Sequence, residues 1–386
     1  MPGQSNATSR RLTDAQLISA RFRYAQPESA ISELNRGVPD PEANPTIIGF
    51  YDETPVGGRA SNPDFPFVRC CHCGTRRHWK GHVIRDDKGE TYIIGASKCG
   101  KEHYGIRYES AERAFKAEKE RQGALIRWSK MLKILPSYSA EVKRLITSSE
   151  LGALDVKRDE LYRASPLGFH KLAQIASTGD PMFEHIEERD HIAEAEREKR
   201  YRNAMVVFEA KPKNERKRLQ GEGLAPERDT DPIYKRVSTP LGHLVGGSFL
   251  TDRGDVRKYA LELRSTIENI DAIEQQGTET ARTTELTRLL QEMANRPKKL
   301  GDVIREASFT SAFFQDENLD RIGRWSNGER RFSFGRQGDD LIVEDASKGI
   351  ARIKPIGEFN LPYSDAMSMA HYLDEDFEPM MVAAAE

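Results

Sequence analysis

Apolar residues recur at close to three- and four-residue intervals from Glu109 to Leu135, at Phe115, Leu125, Trp128, Leu132 and Leu135, with charged residues between them. That spacing predicts a long amphipathic helix. A second helix is expected over Phe183 to Ala210, on Phe183, Ile186, Ala193, Tyr201, Met205 and Phe208, and a third over Val256 to Gln275, on Val256, Leu263, Ile267 and Ile270. Shorter helices are expected over Ala140 to Ala164, Pro166 to Thr178 and Thr280 to Asn295, with one more near Thr13 to Phe22. Together they suit an antiparallel coiled coil or bundle.

Elsewhere the period falls to two. Thr46 to Tyr51 reads as a strand, and Gly81 to Arg85 and Glu90 to Ile94 read as a hairpin joined by the turn Asp86-Asp87-Lys88-Gly89. Near the C-terminus, Arg331 to Phe334, Leu341 to Glu344 and Ile350 to Ile353 form a small β meander. The expected class is α+β, mainly helical, with no repeat of fixed period. A chain of 386 residues exceeds one ordinary core. The expected division is a flexible arm at 1–45, a metal-binding module at 46–108, a helical bundle or coiled coil at 109–310, a β-rich unit at 311–372 and an acidic tail at 373–386.

All four cysteines fall in one short window, Cys70, Cys71, Cys73 and Cys99, and His103 follows four residues after the last. Cys70-x2-Cys73 allows a tight turn to aim two thiolates at one ion, and Gly74 supplies permissive backbone. Cys99 and His103 share a helix face at their spacing of four. The expected ligands are Cys70, Cys73, Cys99 and His103 around Zn2+, with His82 a rival for the fourth place. Cys71 is set aside, because one residue between it and Cys73 suits a single tetrahedral ion poorly. The order of knuckle, hairpin and helix resembles the treble-clef class of zinc finger. The opening Cys70-x2-Cys73-Gly74 and the closing Gly95 to His103 carry the resemblance, which covers only residues 68–108.

Composition sharpens this picture. Charged residues make up 31% of the chain and hydrophobic ones 37%. No apolar run reaches bilayer length and the first 23 residues lack an apolar core segment, so a soluble, cytoplasmic protein with reduced thiols is expected. The net charge is −2, yet Val68 to Tyr108 carries nine cations against four carboxylates, +5, which leaves −7 for the remainder. Such asymmetry places a polyanion contact on the metal module. Arg76, Arg77, Lys80, Arg85 and Lys101 are the expected phosphate contacts, while Trp79, Tyr92, Tyr104 and Tyr108 are aromatic rings suited to stacking on bases.

Hydrolase templates and a phosphate loop are absent from the sequence. Glu209-Ala210-Lys211 after the apolar Met205 to Phe208 resembles a metal-dependent nuclease core, for which Asp190 would be the upstream carboxylate. The leading expectation is a non-catalytic accessory or scaffold that binds nucleic acid without sequence preference, or a nucleoprotein complex. The alternatives are an assembly component that self-associates through its helices around a structural zinc and, third, the nuclease.

Overall fold

The computed structural model describes residues 12–62, 65–95, 98–357, 360–362 and 381–382. It is α+β and mainly helical, and it divides into two compact units. The first unit comprises 1–143, 259–299 and 364–386; the second comprises 144–258 and 300–363.

The first unit opens with helix α1 (Asp14–Ser19), capped by Thr13 and Gln16 in a reciprocal capping box. Strand β1 (Arg23–Tyr24), the single-turn helix α2 (Pro27–Ala30), strand β2 (Thr46–Asp52) and the turn α3 (Gly58–Ser61) follow. Residues 12–45 are therefore not the expected loose arm. Leu17 and Phe22 are buried, and Asp14 is clamped by the Arg121 guanidinium with both Nε and Nη2 at 2.6 Å from its carboxylate.

Next come the short strands β3 (Val68–Arg69) and β4 (Arg76–His78), the hairpin β5 (Lys80–Arg85) and β6 (Thr91–Gly95), and the helix α4 (Lys98–Tyr104). The hairpin turn is closed by Asp86, whose backbone pairs with Glu90 and whose side chain accepts from the Lys88 and Glu90 amides, while Gly89 takes positive φ. β2 pairs antiparallel with β5 and β5 with β6, and β1 lies parallel to β2. β6 is buried along its whole length, whereas β2 alternates between buried and half-buried positions. β2 thus keeps one side for the core.

Helix α5 (Ile106–Ile146) is longer than the pattern from Glu109 to Leu135 suggested and carries Pro136 within it. Within the first unit it buries Phe115, Leu125, Trp128, Met131 and Leu135. The expected helix over Ala140 to Ala164 is divided: Ser148 caps a separate α6 (Ser149–Ala164). Ser165 then caps α7 (Pro166–Thr178), which ends on Gly179 in the left-handed region.

The expected helix over Phe183 to Ala210 is corrected. Strand β7 (Pro181–Arg189) occupies its first part, Asp190 caps α8 (His191–Glu209), α9 (Lys213–Gly221) follows, and β8 (Tyr234–His243) pairs back onto β7. Phe183 and Ile186 face Pro240 and Val237 across this ribbon. α8 buries only Phe208.

The chain then forms α10 (Val256–Gln276), α11 (Thr283–Ala307), α12 (Thr310–Phe313) and α13 (Asp316–Ser326). In the first unit, Arg296 of α11 donates to the Glu262 carbonyl and the Thr266 hydroxyl of α10, and the Trp128 indole of α5 donates to Glu274. α10 and α11 bury Leu263, Ile267, Ile270, Leu286, Leu289 and Met293. In the second unit, β9 (Phe332–Gln337), β10 (Asp340–Asp345) and β11 (Gly349–Ile353) make the expected antiparallel meander, and α13 packs on β9. Ser165 donates to Asp345 at 2.6 Å, fixing α7 to the meander. Strand β12 (Met381–Val382) adds to the first unit's sheet beside β1, giving the order β12-β1-β2-β5-β6. The acidic residues Asp374, Glu375, Asp376 and Glu378 lie outside the described residues.

Candidate metal centre

Two backbone turns bring the cysteines together. After β3 the chain reverses at Cys70, whose carbonyl accepts from the Gly74 amide at 2.9 Å, and Gly74 sits at φ 67° as the turn demands. β4 returns antiparallel to β3 and carries His78 back opposite Val68. Cys99 comes from the first turn of α4, which enters directly after β6.

Cys70, Cys73, His78 and Cys99 present one ligand atom each, all within 4.8 Å of one another. The His78 Nε2 lies 3.3 Å from Cys73 Sγ and 3.6 Å from Cys99 Sγ. Zinc bonds of about 2.3 Å to sulfur and about 2.0 Å to nitrogen, set at tetrahedral angles, separate a nitrogen from a sulfur by about 3.5 Å. The cluster therefore has the size of a Cys3His tetrahedron, and soft thiolates with one imidazole are donors suited to zinc.

His78 takes the place expected for His103. The reason is visible in both rings. His103 Nε2 lies 2.8 Å from the Pro39 carbonyl, which can only accept, and its Nδ1 lies 3.1 Å from His72 Nδ1. Both nitrogens are engaged one turn beyond Cys99. The rival His82 is half-buried and hydrogen-bonded to the Tyr108 hydroxyl at 2.6 Å, away from the thiols. Removal from water and the Lys119 ammonium hold its pKa down at about 4.

The surroundings of Cys70 favour thiolate. Cys70 accepts from the Cys71 thiol and from backbone amides, including Gly95 N at 3.3 Å, and its pKa falls to about 4. Cys71 is correspondingly pushed up, as donor to Cys70 and by burial. It serves Cys70 and is not a ligand. Cys99 is raised to about 12 by burial and by the neighbouring thiolates. Three thiolates this close repel one another until a cation sits between them.

Gly95 has a specific role beside them. A β-carbon there would come within 2.5 Å of the His78 ring, so only glycine leaves room for that imidazole. The sequence signal for His78 was therefore Cys73-x4-His78 together with Gly95, a pairing legible only once β4 and β6 are known to be neighbours of the knuckle.

No family model, curated protein or solved structure matches the chain. The chemistry of the site rests on its geometry.

The expected nucleic-acid contacts are differently placed. Arg76, Arg77, Lys80, Arg85 and Lys101 are all exposed. Arg76 pairs with Glu28 at 3.2 Å, Lys80 with Asp52 at 2.8 Å and Lys101 with Glu109 at 3.4 Å; Arg77 and Arg85 have no ion pair among the described residues. The aromatic rings do not line a stacking platform. Tyr92, Tyr104 and Tyr108 are buried, and Trp79 is stacked on Phe67 with ring centroids 4.5 Å apart. They hold the module together instead.

The nuclease-like residues are not assembled either. Asp190 caps the start of α8 by accepting from the Ile192 and Ala193 amides, and Glu209 ends that helix. They stand at opposite ends of this helix of 19 residues, which sets their backbones roughly 28 Å apart. Lys211 pairs with Glu215 at 2.8 Å.

Among the described residues no helix is long and apolar enough to cross a membrane.

Proposed function

We infer that the protein is a non-catalytic accessory or scaffold factor whose zinc-stabilised module, of treble-clef type, contacts nucleic acid through its phosphates. One observation carries this reading. Of the nine basic side chains between Val68 and Tyr108, all but Arg107 are exposed, while the aromatic rings among them point inward. A surface with charge but no free rings contacts the phosphate backbone and reads no bases. The metal fixes the short strands β3 and β4, which are too small to hold that charge in place unaided.

The test is affinity for mixed-sequence DNA and RNA as a function of salt. Wild type should lose affinity linearly in log salt, and the combined Arg76→Glu, Arg77→Glu and Arg85→Glu variant should flatten that slope by about 0.7 to 0.9 for each phosphate no longer neutralised. Salt-independent binding, or none, refutes the reading.

One feature favours self-association as a second reading. Ile192, Val206, Val207 and Leu224 are exposed around α8 and α9. If they join two copies, mass should fall with dilution, and Val206→Asp with Val207→Asp should abolish that dependence; a mass constant at all concentrations excludes it.

A further inference from the structure

The first unit contains a cleft of about 1050 Å³ that the metal centre does not use. Its floor is Phe50 of β2 and His82 of β5 with Phe115 of α5. One wall is a single face of α5, presenting Glu112, Lys116, Lys119, Gly123 and Arg127 at helical spacing. The facing wall is the first turns of α11, with Thr284, Arg288 and Gln291.

Five cations and three carboxylates line it: Lys80, Lys116, Lys119, Arg127 and Arg288 against Asp52, Glu112 and Glu120. Two of the carboxylates are already matched, Asp52 by Lys80 at 2.8 Å and Glu120 by Lys116 at 3.9 Å. Arg288 is paired with Glu292 one turn along α11 and would have to share that partner with a phosphate, whereas Lys119 and Arg127 have no ion pair among the described residues. Arg127 donates only to the Gly123 carbonyl of its own helix, and Lys119 lies 4.0 Å over the Phe50 ring. Both are half-buried. Partial removal of a cation from water is unfavourable unless an anion replaces the lost hydration, and here the protein supplies none.

We propose that this cleft binds a nucleoside phosphate unit, with the phosphate held by Lys119, Arg127 and Arg288 and the ring and sugar lying against the apolar floor. The proposal deepens the nucleic-acid reading and rests on it for one of two sources, a nucleotide within a single strand; the other source is a free nucleotide. Volume, an apolar floor and a few convergent charges are the ordinary make-up of a small-ligand site. Lys80 borders the cleft and also belongs to the exposed basic set of the metal module, so a strand on the module has a charged route to the floor.

The test uses the full zinc-loaded chain with two probes: thymidine 5′-monophosphate by calorimetry, and a fluorescein-labelled ten-residue oligothymidylate by anisotropy. Lys119→Gln, Arg127→Gln and the exposed Arg288→Gln should each weaken binding by about tenfold or more, the effect of losing one charge-assisted hydrogen bond. Arg288→Gln keeps the test open if either half-buried variant fails to fold, as judged by bound zinc and melting temperature. Weakened monophosphate binding supports the proposal with a free nucleotide as source; weakened oligonucleotide binding alone supports it with a strand as source. If wild type binds neither probe, or the three variants bind as wild type does, the proposal is overturned. Weakening only by Arg76→Glu, Arg77→Glu and Arg85→Glu overturns the cleft and keeps the module, whereas weakening only by the cleft variants does the reverse.

Discussion

Replacing Arg121 by methionine isolates the interaction that turns the N-terminal segment from an arm into part of a core. The buried guanidinium grips both oxygens of Asp14 at 2.6 Å and also donates to the carbonyls of Ala281 and Thr278, each at 3.0 Å. It thereby joins α1, α5 and the segment leading into α11. In Arg121→Met, the buried Asp14 carboxylate loses its countercharge while keeping the Thr278 hydroxyl at 3.0 Å, and two carbonyls lose the guanidinium as donor. Breaking one side of a buried pair costs about 3–5 kcal/mol. For a unit of this size each kcal/mol moves the midpoint by about 2–4 °C, so a fall of roughly 6–20 °C is expected. The assay is thermal unfolding by circular dichroism at constant metal. Asp14→Leu combined with Arg121→Met should recover part of the loss, because an apolar pair leaves no unpaired charge. A shift under about 2 °C for Arg121→Met would mean that residues 12–22 are not anchored as described, since an exposed pair is worth under about 1 kcal/mol.

Three other outcomes follow from the same structure. Gly95→Ala should push the His78 ring out of the cluster and weaken zinc affinity by about 10–100-fold, the usual effect of disturbing groups around a metal site, as read by competition with a chromophoric chelator; unchanged affinity refutes the role of that glycine. His82 has a folded-state pKa of about 4, below its unfolded value of about 6.5, so the unfolded chain binds the extra proton and stability falls as pH drops through that window, by about 3 kcal/mol in all; His82→Asn should lose this part of the slope, and an imidazole NMR titration near 6.5 would contradict it. Trp128→Ala should destabilise by about 3–5 kcal/mol, because Trp128 is fully buried and its indole is bonded to Glu274; a loss below about 1 kcal/mol in chemical denaturation would show a looser core.

Much of the architecture could be read from local signals. Pro166–Thr178 was recognisable because proline opens it and Gly179 closes it, and the meander because Gly338 and Gly349 punctuate three short apolar runs. β7 has no local signature, for a physical reason. Pro181 to Arg189 is rich in glutamate and runs straight into the helical α8, and its partner strand β8 lies about fifty residues on, so nothing local marks the boundary except the capping Asp190. Three of the four cluster residues were legible from the knuckle and the start of α4. The fourth was not, because helical spacing made His103 look correctly placed, whereas His78 reaches the thiols only through the return of β4 along β3. The inward tyrosines show the same limit. Composition puts rings among cations, and the burial of every position of β6 takes Tyr92 into the core.

X-ray absorption at the zinc edge, with elemental analysis of the gently purified chain, tests the metal centre most directly. One zinc per chain is expected, with three sulfurs at about 2.3 Å and one nitrogen at about 2.0 Å, the nitrogen lost in His78→Ala and retained in His103→Ala. A wild-type chain without bound metal, or a nitrogen that disappears with His103 and survives the loss of His78, would contradict it.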